Sequence, residues 1–294
     1  MIVSVAKSVT EAESQLSQSH ADELIKSIVI PARPETLMLL EREMGLEDPD
    51  FRKIARLVAS DVTSTVAVLR TVNSPFFGLS RHCETIDQAI SLIGLKQLKV
   101  LVTRLALQTM LRGDAHKLTR FWDVSSKRSF GMSRMARELR LVDVDLAQTF
   151  GLFCDVGIPL LMQRFADYGK TLMACNSEPE LSFTEVEQLR HQTDHALVGA
   201  MMARSWGVSP MLCLAIRMHH DYAVFLDPKI PEPVTRLIAM GLVAEVAIQR
   251  FAGMNTSAEW NKGGDYAAGA LVFSDQDVEE WIDRLHHDFA TGVA

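Results

Sequence analysis

Several functional classes are excluded by what this chain lacks. Its 294 residues include four cysteines, Cys83, Cys154, Cys175 and Cys213, widely spaced and never in a Cys-x-x-Cys pair. That rules against a disulfide framework or a zinc knuckle and fits a reducing cytoplasm. Basic residues are not in excess: 30 Lys and Arg face 37 Asp and Glu, a net charge of −7. Binding to a nucleic-acid backbone is therefore disfavoured, although net charge does not constrain a small basic pocket. The greasiest run, 95–111, is interrupted by Lys96, Lys99 and Arg104, so no membrane span is expected. Residues 1–7 lack the basic start and long apolar run of a signal peptide. Gly263-Gly264 is not followed by the Lys-Ser/Thr of a phosphate loop, and no G-x-S-x-G elbow occurs. Alternating strand patterns and 20–50-residue repeats are also missing.

What the chain has is helical periodicity nearly everywhere and 48% hydrophobic residues, enough for a sizeable core. Pro34 reads as a first-turn proline before Leu37, Leu40 and Met44. Asp48 is expected to cap, and Pro49 to begin, a helix with Phe51, Ile54, Ala55 and Val58 on one face. Asp61 caps the next, which Ser74-Pro75 ends. Asn73 is expected to bond its own backbone or take left-handed geometry there. A stripe of Ile86, Ala89, Ile90 and Ile93 stops at Gly94, and Leu95, Leu98, Leu101, Val102 and Leu105 form another. Residues up to about 112 thus read as a compact bundle of short helices, with Arg112-Gly113-Asp114 as a joint. Longer helices are expected over 122–139, 144–155, 158–168, 183–206, 209–219 and 233–251, then a loop over 254–268. Ser274 caps a last amphipathic helix carrying Val278, Trp281, Ile282 and Leu285, expected to pack internally. The expected fold class is all-α.

Several short motifs recur in a recognisable order. They are Ile30-Pro31-Ala32-Arg33-Pro34, Leu69-Arg70-Thr71-Val72-Asn73-Ser74 and the run from Thr85 to Gly94. Further along come Phe121-Trp122, Gly151-Leu152-Phe153-Cys154-Asp155-Val156-Gly157, the segment from Asp194-His195 to Trp206, and His219-His220. Together, over about residues 24–250, they resemble the HDOD domain, a bacterial relative of the HD phosphohydrolases linked to signalling output. The resemblance implies an extension over 1–23, an N-terminal helical lobe over 24–112, an HD-like lobe over 113–253, and a loop and C-terminal helix over 254–294.

The resemblance also implies where metal ligands would stand. The first histidine of an HD enzyme falls at Val124, and its His-Asp pair at Cys154-Asp155. The downstream histidines fall at His195, His219 and His220. The late aspartate falls near Met240-Gly241, with Glu245 about a turn further on. The first ion's set is thereby reduced to little more than Asp155, since Val124 has no lone pair and a buried thiol at Cys154 resists ionisation. The second ion's set, Asp155, His195, His219 and His220, persists, and would suit one Zn, Fe or Mn ion. A two-metal clamp is not expected.

Each residue also has a plain structural role open to it. His219-His220 can be a helix-end pair, His195 a satisfied polar residue, and Asp155 a cap before Gly157. His191, among Glu185, Glu187, Arg190 and Gln192, is expected to be solvated. His286-His287-Asp288 reads as a charged helix end with no metal role, and Met201, Met202, Met211, Met218 and Met240 as core filler. The function expected is a non-catalytic cytoplasmic signalling or regulatory protein binding a partner protein or small ligand at the cleft of Cys154, Asp155, His195, His219 and His220. It would receive its signal in trans, need no cofactor beyond a single divalent ion, and contact neither nucleic acid nor membrane. The alternative is a mononuclear metal-dependent phosphohydrolase acting on a nucleotide or phosphate ester. Val124→His with Cys154→His is expected to raise metal affinity more than it harms the fold.

Overall fold

A computed structural model of the chain describes residues 27–74, 82–111, 115–254 and 258–291. The 1–23 extension, Pro75 and the 112–114 joint lie outside those residues. Every regular element among the described residues is helical, so the all-α expectation holds. The described residues divide into two compact units, one over 31–111 and one over 115–289 with 27–30.

The first unit carries α1 (Glu35–Met44), α2 (Phe51–Ala59), α3 (Val62–Val72) and α4 (Ile86–Met110). Its core is Leu37, Leu40, Ile54, Val58, Val68, Val72, Ile90 and Leu98, all buried. The cap of α2 is Asp50, two residues later than expected, accepting from the Lys53 amide at 3.0 Å. The buried Glu43 takes the Asp50 N–H at 3.2 Å and pairs with Lys53, which fixes Asp50 at the cap. Asp61 caps α3 through the Ser64 amide at 3.1 Å, as expected. Thr85 and Gln88 form a capping box at the start of α4, and Gly94 breaks that helix locally with φ 75°. Asn73 does not bond its own backbone. Its side chain takes the Cys83 N–H at 2.7 Å and donates to the Cys83 carbonyl at 2.8 Å, bracing two points ten residues apart.

The second unit opens with α5 (Ala115–Leu139) and α6 (Val144–Phe153), which pack side by side. Small residues allow the approach: a Cβ on Gly151 would stand 2.7 Å from the Ser129 Cα. Ser125 and Ser129 donate to the Leu152 and Gln148 carbonyls across the same contact. Next come α7 (Gly157–Arg164), α8 (Tyr168–Ser177), α9 (Phe183–His191), α10 (His195–Ser205) and α11 (Pro210–Met218). A short 3-10 turn (Tyr222–Phe225), α12 (Glu232–Phe251), α13 (Ala258–Leu271) and α14 (Asp275–Ala290) complete it.

Three expectations fail here. The expected 183–206 helix is two helices, broken where Gln192 takes φ 57° and the buried Asp194 caps α10 by accepting from the Leu197 amide at 2.7 Å. The expected 158–168 helix ends at Arg164, and a separate α8 follows. The expected 254–268 loop is helical from Ala258 onward. Its glycines serve close packing instead of turns: a Cβ on Gly263 would stand 2.7 Å from the Tyr222 ring. Ser274 does cap α14, in a reciprocal pair with Asp277, and Trp281, Ile282 and Leu285 are buried. Met201, Met202, Met218 and Met240 are buried core residues, while Met211 is half-buried. The stretch Val144–Arg164 has the length and hydropathy of a membrane crossing, yet 67% of its most apolar 18-residue window is buried in the protein, and the chain turns at 154–156.

Candidate functional site

Helix ends build the site. Cys154 and Asp155 follow the C-terminus of α6, His195 opens α10, and His219 and His220 follow α11. Gly157 lets these ends meet, since a Cβ there would fall 2.1 Å from the His195 carbonyl oxygen. One ligand atom from each of Asp155, His195, His219 and His220 lies within 4.8 Å of the other three.

The orientation of the three rings is set from outside. His195 Nδ1 bonds Glu187 Oε2 at 2.7 Å, His219 Nδ1 bonds the Ile216 carbonyl at 2.7 Å, and His220 Nδ1 bonds Glu259 Oε2 at 2.6 Å. A carbonyl and two carboxylates accept, so each Nδ1 donates and each Nε2 is left to the centre. His195 Nε2 stands 3.2 Å from His219 Nε2 and 3.5 Å from Asp155 Oδ1, which is itself 3.2 Å from His219 Nε2. Behind them, Tyr168 donates to Glu187, while Tyr222 and Lys262 donate to Glu259.

Electrostatics follow this arrangement. Burial opposes a charge on His195, yet Glu187 and Asp155 raise its pKa to about 10. His220 goes the other way: burial and neighbouring His219 lower it to about 4 against the pull of Glu259. Glu259, despite burial, is held at about 2 by His220, Lys262 and Tyr222. Burial raises the Cys154 thiol well above its usual value, outweighing the nearby guanidinium.

That guanidinium belongs to Arg128 on α5, one turn beyond Val124. It is 5% exposed. Its Nη2 lies 2.7 Å from Asp155 Oδ2 and 2.5 Å from Glu245 Oε2, and its Nη1 lies 3.0 Å from Cys154 Sγ. Asp155, though buried against solvation, is held well below the usual carboxylate range by Arg128 and the histidines. Val124, Arg128, Glu245 and the histidines all line one cavity of about 850 Å³, with apolar walls that include Phe121, Leu172 and Phe251.

The five residues expected at the cleft thus converge, with Val124 and Glu245 beside them. His286 bonds the Ala247 carbonyl at 2.8 Å and packs beside Phe251. His191 is not solvated: it is 7% exposed, bonds Thr171 at 2.8 Å and stacks near Phe165. The sequence pattern alone does not single out Glu187, Arg128 or Glu259. Glu187 is fully buried four residues after Phe183, and that spacing on the apolar face of α9 was a usable signal. Arg128 likewise sits four residues after Val124. Glu259 had no signal, because its segment read as a loop.

An all-helical unit with an aspartate and three histidines gathered at helix ends defines an HD-like domain. The HDOD domain family model matches residues 30–222, and the chain belongs to that family. An uncharacterized protein of Treponema pallidum (strain Nichols) is 22% identical over 241 residues, covering 80% of this chain and 45% of that protein. The chain therefore spans under half the length of this relative. Among solved structures, an HDOD domain protein of unknown function from Geobacter sulfurreducens aligns with TM-score 0.65, 19% identity and 95% of each chain. A candidate phosphohydrolase of Shewanella amazonensis SB2B aligns with TM-score 0.68 at 19% identity, over 96% of this chain and 95% of that one. A candidate signal transduction protein of Marinobacter aquaeolei VT8 aligns with TM-score 0.69 at 18% identity, over 98% of this chain and 66% of that one. At these identities the likeness establishes the fold.

Proposed function

We propose that the chain is a non-catalytic regulatory HDOD module of a signalling system, in which the second unit's cavity recognises a small ligand or a partner segment around one divalent cation. The observation that carries this is the asymmetry about Asp155. On one side, His195 Nε2, His219 Nε2 and Asp155 Oδ1 converge, with a His220 ring nitrogen within 4.8 Å of a ligand atom from each. On the other, Val124 offers no donor, and Cys154 is a buried thiol held protonated.

The residues present fit one ion. Two nitrogens each about 2.0–2.1 Å from a tetrahedral Zn²⁺ stand about 3.3–3.4 Å apart. The His195–His219 pair stands at 3.2 Å. The outer acceptors Glu187, Ile216 and Glu259 give each ring the tautomer a ligand needs. Asp155, His195, His219 and His220 would hold the ion. Bound there, it would supply a Lewis-acidic point that anchors an oxygen of a ligand. Paired-cation phosphoryl chemistry needs a second ion about 3.5–4 Å away, on the side where Val124 and Cys154 stand instead of histidines and the Arg128 guanidinium contacts Asp155 Oδ2.

The retained donor set also favours a second reading, a mononuclear phosphohydrolase. The two are separated by measuring metal content and phosphomonoester turnover on the purified chain with Mn²⁺ or Zn²⁺ added. Regulation without chemistry predicts ion binding that His219→Ala abolishes, ligand-induced thermal shifts, and no turnover. Turnover lost in Asp155→Ala would establish the enzyme instead.

A further inference from the structure

Every nitrogen of the Arg128 guanidinium is committed. Nη2 reaches Asp155 Oδ2 at 2.7 Å and Glu245 Oε2 at 2.5 Å. Nε reaches the same Glu245 oxygen at 3.2 Å, and Nη1 reaches Cys154 Sγ at 3.0 Å. These partners come from the α6–α7 turn and from α12, while Arg128 itself is on α5. One cation therefore ties three elements together at a point where the family pattern implies an exchangeable ion.

Asp155 divides its two oxygens between the two halves of the site. Oδ1 faces His195 and His219, and Oδ2 faces Arg128. This is how a carboxylate bridges two cation positions, with a guanidinium in one of them. The flanking residues suit the larger, planar cation. Glu245, a longer acid one turn beyond Gly241, forms the far wall, and a thiol stands at Cys154 in place of a ring. Arg128 stands one turn beyond Val124 on α5, and both line the cavity. A guanidinium is permanently charged, and its fork matches carboxylates on two sides. A divalent ion could not share the position, because like charges at contact distance repel strongly in a desolvated site.

We propose that Arg128 is a tethered replacement for one of the two cations, so that the site keeps the cross-link of a metal centre without an exchangeable ion in that position. It follows that the wild-type chain binds no divalent ion between Asp155, Cys154 and Glu245, and that removing Arg128 opens a position there built from Asp155 Oδ2, the Glu245 carboxylate and Cys154 Sγ. An ion held by that thiol deprotonates it. This deepens the regulatory reading but depends on it only for the count at the histidine side.

The test uses the full chain as wild type, Arg128→Ala, Arg128→Lys, His219→Ala, and Arg128→Ala combined with His219→Ala or Cys154→Ala. Zn²⁺ stoichiometry is read by equilibrium dialysis with elemental analysis. Co²⁺ is added as a reporter, since a sulfur-to-cobalt charge-transfer band reports thiolate ligation and Cys154 is the cysteine that lines the cavity. Arg128→Ala is expected to bind one Zn²⁺ more per chain than wild type, to show the band, and to regain with Zn²⁺ the melting temperature it loses. Arg128→Lys is expected to show neither gain. The double variant with His219→Ala is expected to keep the new ion, and the one with Cys154→Ala to lose the band. If wild type binds no ion at all and Arg128→Ala binds one with the band, the single-ion reading fails while this proposal stands. Equal stoichiometry in wild type and Arg128→Ala, with no band, overturns it. Should Arg128→Ala need refolding, recovery that requires Zn²⁺ supports the proposal. If it fails to refold in either condition, Arg128→Gln carries the same measurements: an added ion with the band supports the proposal, and unchanged stoichiometry without the band overturns it.

Discussion

At the scale of single residues, the site is governed by groups one step removed from its centre. Glu187 is fully buried and accepts from Tyr168, from the His195 backbone and from His195 Nδ1. Glu187→Ala removes the partner of the buried Tyr168 hydroxyl and of His195 Nδ1. It is expected to cost about 3–5 kcal/mol, measured by urea denaturation, as for other half-removed buried pairs. Glu187→Gln, which keeps an acceptor, should cost clearly less. Arg128 changes what restoring the lost ligands would do. Val124→His with Cys154→His, expected from sequence alone to raise metal affinity, introduces two rings into space the guanidinium fills. Those two substitutions are therefore expected to gain no ion unless Arg128 is also removed, which isothermal titration with Zn²⁺ checks. Glu259 shows why part of this was illegible. A carboxylate in a segment of Gly, Asn and Lys carries no periodic mark, and only its partners His220, Tyr222 and Lys262 reveal it.

At the scale of elements, most helices were legible because their apolar stripes and caps agree, as at Asp61 and Ser274. The failures came where a tertiary partner decided the boundary. Glu43 moved the α2 cap to Asp50, and the buried Asp194, bonded by Gln188, split one apolar run into α9 and α10. That split shapes the candidate site, since it puts His195 at a helix start, facing Asp155. Gly157 is the matching element-level constraint. Gly157→Ala puts a methyl group 2.1 Å from the His195 carbonyl oxygen, so α7 and α10 must separate. We expect a loss of about 1–3 kcal/mol or more by thermal or urea unfolding, together with weaker ion binding because the His195 ring moves with its backbone. His191 couples α8 to α9 through Thr171. Burial lowers its pKa below the usual histidine value. In the window just below that usual value the unfolded chain binds a proton the folded chain does not, so stability falls as pH falls. His191→Gln should flatten that part of the stability-versus-pH curve, leaving the remainder unchanged.

At the scale of the whole molecule, the fold and family were readable from motif order, and the matched span of 30–222 agrees with it. The two sides of Asp155 were only partly readable: Val124 and Cys154 stand in the sequence where the resemblance places histidines, but the contact of Arg128 with Asp155 is visible only in the structure. The whole chain is proposed to keep the architecture of a hydrolase pocket while using it for recognition. Elemental analysis of the purified chain, paired with a phosphomonoester assay in added Mn²⁺, tests this most directly. The account predicts no more than one divalent ion per chain, lost in His219→Ala, and no turnover above that of the variant. Two ions per chain, with turnover abolished by Asp155→Ala, would contradict it.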